Sequence, residues 1–171
     1  MLKKVASTSV AQPCGGSFAI VASRYNALYV DALLRAARRE LKAAGATSVR
    51  VLRVPGAYEI PLAVAALARA GEARPDAIIC LGVILRGETV HAAHIGENVS
   101  RVLMDLQLET GVPVIHEVLL LENRAQAEVR CRSREHNRGR EAAQTALAMA
   151  RLIRQLTPPG SRTQASRMDP E

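Results

Sequence analysis

Short apolar runs recur along the chain about every thirty residues, at 18–22, 49–54, 77–85 and 114–121. Runs of this length, rich in Val, Ile and Leu, predict β-strands buried on both faces. Between them the apolar spacing turns helical. The first such stretch puts Val30, Leu33, Leu34, Ala37 and Leu41 on one face and closes at Gly45, with Asn26 placed as an N-cap. Pro61 is tolerated only in the first turn of a second helix, predicted through 62–70. A third helix begins near Thr89, carries Ile95, Val99, Val102 and Leu106 as a stripe, and stops at Gly111 ahead of Pro113. Two more helical segments are predicted at about 125–134 and about 140–155.

Strand and helix in strict alternation predict an α/β fold with a four-stranded parallel sheet between two helical layers, a three-layer α/β/α sandwich joined by right-handed crossovers. Residues 16–156 make up this domain. Residues 157–171, with Pro158, Pro159, Gly160 and Pro170 and almost nothing to bury, are expected to be a disordered tail. The segment 1–15 is expected to be flexible or to add a strand to a neighbouring subunit.

Composition narrows the function classes. The 171 residues suffice for one domain with its own core, and 49% hydrophobic with 23% charged residues is globular. No apolar run approaches the roughly 18 residues of a membrane span. Met1 to Gly16 lacks the apolar core of a signal peptide, so the expected compartment is the cytoplasm, without a membrane partner. Cys14, Cys80 and Cys131 are odd in number and follow no metal spacing. His91, His94, His116 and His136 fit no closed zinc pattern either, so no metal site is expected. The net charge of +7 suits nucleic acid, an anionic substrate or simple solubility. With no Trp, one Phe and three Tyr, the chain has few stacking platforms, and nucleic acid is not an expected partner.

The richest stretch is Leu81-Gly82-Val83-Ile84-Leu85-Arg86-Gly87-Glu88-Thr89-Val90-His91. A strand that ends at Gly87 and a helix that starts near Thr89 leave backbone N–H groups unpaired where the helix dipole favours an anion. His91 falls on the first turn, and imidazole moves protons near neutral pH. The same residues also read as a strand, a tight turn and a capped helix bearing a solvated histidine.

Four pieces fall at the carboxyl ends of predicted strands: Ser23-Arg24-Tyr25-Asn26, Val54-Pro55-Gly56-Ala57-Tyr58-Glu59-Ile60-Pro61, Gly87 to His91, and the turn beyond Leu121. In a doubly wound sheet these ends converge. With Thr110-Gly111-Val112-Pro113-Val114-Ile115 and Gln126-Ala127 followed by Arg130, the chain resembles the lumazine synthase family from about residue 18 to 156. The resemblance implies a flavodoxin-like sandwich and a transferase of riboflavin biosynthesis. Such an enzyme condenses 5-amino-6-(D-ribitylamino)uracil with 3,4-dihydroxy-2-butanone 4-phosphate to give 6,7-dimethyl-8-ribityllumazine, phosphate and water. No metal or organic cofactor is implied. Proximity and orientation then supply much of the catalysis. The implied assembly is a homopentamer with sites between adjacent subunits, alone or as twelve pentamers closed into an icosahedral capsid, with riboflavin synthase as a further partner.

Residue by residue, Tyr25 matches the aromatic that stacks on the pyrimidine, with Asn26 beside it and Ile84 at the end of the third strand. Gly56, Ala57, Tyr58 and Glu59 match the loop that binds the ribityl chain. Gly87, Glu88 and Thr89 match the phosphate-binding turn, and Arg86 belongs either with them or with a subunit contact. His91 matches the proton-transfer histidine, Glu141 an acidic residue that partners it, and Arg130 the arginine that grips the phosphate. His116 is expected to line the pocket from the neighbouring subunit. Three departures stand out. His116-Glu117 replace a large aromatic and a glycine, Glu88 replaces a small residue, and Arg132-Ser133-Arg134-Glu135-His136-Asn137-Arg138-Gly139 replace a turn richer in lysine and glycine. The cluster Arg130, Arg132, Arg134, Arg138 and Arg140 therefore leaves an alternative, a diverged member that binds another ligand or RNA. A cysteine hydrolase using Cys80 or Cys131 is a third reading.

Overall fold

The computed structural model describes residues 15–157, so the expectations for the first fourteen residues and for the tail beyond 157 lie outside the described residues. In chain order the elements are β1 (Ser17–Ser23), α1 (Ala27–Ala43), β2 (Ser48–Val54), α2 (Ile60–Ala68), β3 (Ala77–Leu85), α3 (His91–Thr110), β4 (Val114–Leu121), α4 (Arg124–Ala127) and α5 (Arg138–Leu156). A 3₁₀ turn at Gly71–Ala73 follows α2, and α4 runs on into a π-helical turn at Glu128–Arg132. Every strand pair is parallel, in the order β2-β1-β3-β4. The chain thus moves from β1 to one side and returns to the other. The carboxyl ends of β1 and β3 flank the switch point, where sheets of this kind hold ligands.

Alternate strand residues feed two cores. Phe18, Ile20, Ile79 and Leu81 pack against Leu33 and Leu41 of α1 and the alanine face of α5, Ala142, Ala143 and Ala146. On the other face Val21, Ile78 and Val118 meet Ile60 and Val64 of α2 and Val99 and Leu103 of α3. Each of the large side chains stabilises the fold by about 1.5–3 kcal/mol through burial. The strands match their apolar runs closely, because β3 and its neighbours are covered on both faces.

The helices differ in detail from the periodic reading. In α1, Tyr29 and Ala36 are also buried and Leu34 only partly; in α3 the stripe is centred on Leu103, with Val102 at its margin. Helix α2 begins at Ile60 and ends at Ala68, after which the chain tightens into the 3₁₀ turn. The helix expected at 125–134 is one α-helical turn, capped by Asn123 accepting from the Gln126 amide, and then the wider π turn. There the Asn137 side chain takes the Cys131 carbonyl. Asn137 also caps α5 by accepting from the Gly139 and Arg140 amides. At Gly139 a Cβ would lie 2.2 Å from the Leu33 carbonyl oxygen, so α5 crosses α1 at a distance only glycine allows.

Candidate active site

Backbone hydrogen bonds lace the loops at the carboxyl ends of the strands together. Arg24 N–H donates to the Val54 carbonyl at 2.8 Å and Tyr25 N–H to the Pro55 carbonyl at 3.0 Å, which lays the β1–α1 loop onto the end of β2. Asn26 occupies the N-cap position of α1 but does not cap it with its side chain. Its backbone is left-handed, at φ 54°, and this turns the side chain toward β3, where Nδ2 donates to the Val83 carbonyl at 2.7 Å. After β2, Gly56 N–H donates to Glu59 Oε2 at 2.7 Å and Ile60 N–H to the Ala57 carbonyl at 3.2 Å. Buried Ile60 anchors that loop from below.

Helix α3 has Val90 at its N-cap position, and no side chain caps its first amides. Those donors and the positive end of the dipole are available to an anion.

The loops after β1, β2 and β3 and the start of α3 line an open cavity of about 820 Å³. It gathers most of the residues marked by the sequence: Tyr25, Gly56, Ala57, Tyr58, Glu59, Ile84, Gly87, Thr89 and His91. Tyr25 and Tyr58 line it while 72% and 66% exposed, which leaves their aromatic faces accessible to a ligand. The wall also includes His94, Ile95 and Asn98, which the motif reading did not mark. They stand three, four and seven residues after His91. Helical periodicity extended from that histidine identifies them.

Other marked residues lie outside this cavity in a single subunit. Asn26 is spent on Val83. Arg86 pairs with Glu122, Nη1 to the two carboxylate oxygens at 2.9 and 3.1 Å. Glu88 is exposed and does not line the wall. His116 stands opposite Cys80 on β4, with Nε2 2.9 Å from Ser100 Oγ. Partial desolvation lowers the imidazole pKa from the usual histidine value, opposed by a backbone hydrogen bond. Arg130 sits half-buried on the π turn, and none of the described residues offers it a hydrogen bond or ion pair.

Glu141 is bound by Arg138, Nη1 to Oε2 at 2.5 Å. The same guanidinium reaches Glu117 at 2.9 and 3.3 Å. Glu117 is thus a buried carboxylate on an apolar face of β4, bridged by Arg138 to Glu141. Burial pushes its pKa up, opposed by the charge and hydrogen bonds of Arg138 and by the charge of Arg130.

The two described cysteines are buried free thiols. Burial raises both pKa values, that of Cys131 up to about 12, so neither offers a thiolate nucleophile near neutral pH. Among the described residues no group of three or more His, Cys, Asp or Glu is placed to hold a metal ion. No described helix is long and apolar enough to cross a membrane.

The sequence profile of the family described as 6,7-dimethyl-8-ribityllumazine synthase matches residues 15–154. Among similar curated proteins, the 6,7-dimethyl-8-ribityllumazine synthase of Stenotrophomonas maltophilia (strain R551-3) is 42% identical over 146 residues, which is 84% of this chain and 93% of that protein. The protein of the same name from Xanthomonas euvesicatoria pv. vesicatoria (strain 85-10) is 41% identical over 144 residues, 83% of this chain and 92% of its own length.

Proposed function

Because this chain belongs to the 6,7-dimethyl-8-ribityllumazine synthase family, we propose that the cavity at the carboxyl ends of β1, β2 and β3 is its active site. The protein is a transferase of riboflavin biosynthesis that condenses 5-amino-6-(D-ribitylamino)uracil with 3,4-dihydroxy-2-butanone 4-phosphate, giving 6,7-dimethyl-8-ribityllumazine, phosphate and water. The observation that carries the site assignment is the convergence of Tyr25, the 56–59 loop and His91 on one cavity.

In this reading Tyr25 stacks on the pyrimidine, while Gly56, Ala57, Tyr58 and Glu59 accept and donate hydrogen bonds to the ribityl hydroxyls. The uncapped amides of α3, with Gly87 and Thr89, hold the phosphate of the ketone. His91 then stands over both reactants and moves protons as the imine forms and phosphate leaves. Glu88 keeps its carboxylate out of the wall, so it does not repel that phosphate at close range.

Arg130 and His116 serve the site of an adjacent subunit in a homopentamer. Supporting this, both lie away from the cavity of their own chain, and the Arg130 side chain makes no hydrogen bond or ion pair with a described residue, acting on Glu117 only through its charge. The Glu117–Arg138–Glu141 bridge braces the start of α5 beside the π turn that carries Arg130, and Glu141 acts through that brace. The free thiols of Cys80 and Cys131 suit a reducing cytoplasm. The test is direct: mix purified protein with both substrates and follow the long-wavelength absorbance of the lumazine. Product formation is expected, and a folded oligomer that makes none overturns the site assignment.

A further inference from the structure

A second concavity of about 820 Å³ lies on the other side of the sheet, between α1 and the turn that leads into α5. Arg35 and Arg39 reach it from successive turns of α1, Arg132 and Arg134 from the turn, and Arg140 from the first turn of α5. Ala32 and Ala36 line it with small side chains that leave room between the arginines, and the close approach of Gly139 to Leu33 holds the turn against α1.

No carboxylate lines this concavity. Arg132 is neutralised by Glu128 at 2.9 Å, and Arg140 donates to the Glu135 carbonyl at 3.2 Å while its Nε is buried with no partner. The Glu135 carboxylate is exposed and lies 4.0 Å from His136. The side chains of Arg35, Arg39 and Arg134 make no hydrogen bond or ion pair with any described residue. Several guanidiniums held on one concave surface repel one another unless an anion joins them. Their planar donor forks match tetrahedral phosphate oxygens in pairs. The lining offers no aromatic or large apolar side chain on which a base could stack.

We propose that this concavity is a binding site for a short polyphosphate, the ligand being recognised through two or three linked phosphates and not through any organic group attached to them. The site is distinct from the active-site cavity and does not depend on the assignment of that cavity. It makes polyphosphate, free or as the tail of a nucleotide, a ligand that the condensation itself does not use.

The experiment is calorimetric titration of the assembled protein with sodium tripolyphosphate and, separately, with ATP, at low salt. Both are expected to bind, with affinities within about threefold of each other, and binding should weaken as salt rises. In Arg39→Glu/Arg134→Glu the affinity for both should fall at least about tenfold while the condensation rate is unchanged. If that variant does not fold, Arg35→Gln/Arg134→Gln serves in its place with the same expectation. Equal tripolyphosphate binding by the variant, or none by the parent protein, overturns the proposal. Far tighter binding of ATP than of tripolyphosphate overturns phosphate-only recognition. Displacement of tripolyphosphate by substoichiometric single-stranded RNA overturns it in favour of a nucleic-acid surface.

Discussion

Asn26 reaches across the carboxyl edge of the sheet to the Val83 carbonyl, 2.7 Å from its side-chain amide, and does so from a left-handed backbone. This one bond ties the loop that carries Tyr25 to the strand that carries Ile84. Asn26→Gly keeps the backbone conformation and removes the tether, so it isolates the bond. Stability should fall by about 1 kcal/mol, measured by urea denaturation. The KM for the ribitylamino-uracil should rise severalfold with a smaller change in kcat, as the aromatic rim loses its anchor. Unchanged kinetics would show that the loop holds its place without Asn26.

His91→Ala should lower kcat by about 10- to 100-fold and leave pyrimidine binding nearly intact, because a proton-transfer group contributes mainly in the transition state. Steady-state kinetics together with equilibrium binding separate the two effects. A variant with full kcat removes His91 from the chemistry.

Arg130→Ala should chiefly raise the KM of the phosphorylated ketone, and Arg130→Lys should recover part of the loss, since a point charge replaces a planar fork. The subunit arrangement has its own check. Mixed oligomers refolded from His91→Ala and Arg130→Ala chains should regain activity, because some interfaces then combine an intact histidine with an intact arginine. Mixtures as inactive as their parts would place both residues in the site of one chain.

Two groups on neighbouring positions of β4 give stability opposite dependences on pH. Glu117 has its pKa raised by burial, so above the ordinary carboxylate pKa the native state holds a proton that the unfolded chain has lost. Stability therefore falls as pH rises through that window. His116 has its pKa lowered by desolvation, so the native state binds fewer protons than the unfolded chain; its contribution is complete above the ordinary histidine pKa and lost as pH falls through the lowered value. Urea melts from about pH 4 to about pH 7 should show Glu117→Gln removing the descending contribution and His116→Gln the ascending one. An unchanged slope in either variant refutes the assignment for that residue.

Gly139→Ala should destabilise the protein by about 3 kcal/mol or more, because the new methyl group meets backbone that cannot rotate away. Thermal unfolding measures it. A small shift in Tm would mean that α5 can lift from α1 at little cost.

The strands were legible because burial on both faces writes itself as uninterrupted apolar runs, as in 77–85. The cavity was legible where the backbone sets the geometry, at the 56–59 loop and at Gly87 to His91. Other features depend on partners far apart in the chain. The Asn26 side chain chooses between capping its own helix and a carbonyl 57 residues on, and local rules favour the first. Glu117 reads as an interruption of an apolar strand, and only its proximity to Arg138, 21 residues later, makes sense of it. The π turn has no distinct periodicity in so short a segment. The wall of His94, Ile95 and Asn98 follows from the helical period, but these side chains belong to no motif, so local sequence does not separate them from an ordinary helix face.

Asn137 and Gly139 hold the end of the 132–136 turn by different means, one through hydrogen bonds to the Cys131 carbonyl and the α5 amides, the other through contact with the Leu33 backbone. Between these anchors and the π turn, residues 133–136 are not needed to hold either the π turn or the first turn of α5. Such a segment is a place where sequence can drift and new surface chemistry can be tried at little risk to the ancestral reaction. Arg134 stands in that segment, opposite Arg35 and Arg39 of α1, so its side chain can change without disturbing the scaffold of the condensation site.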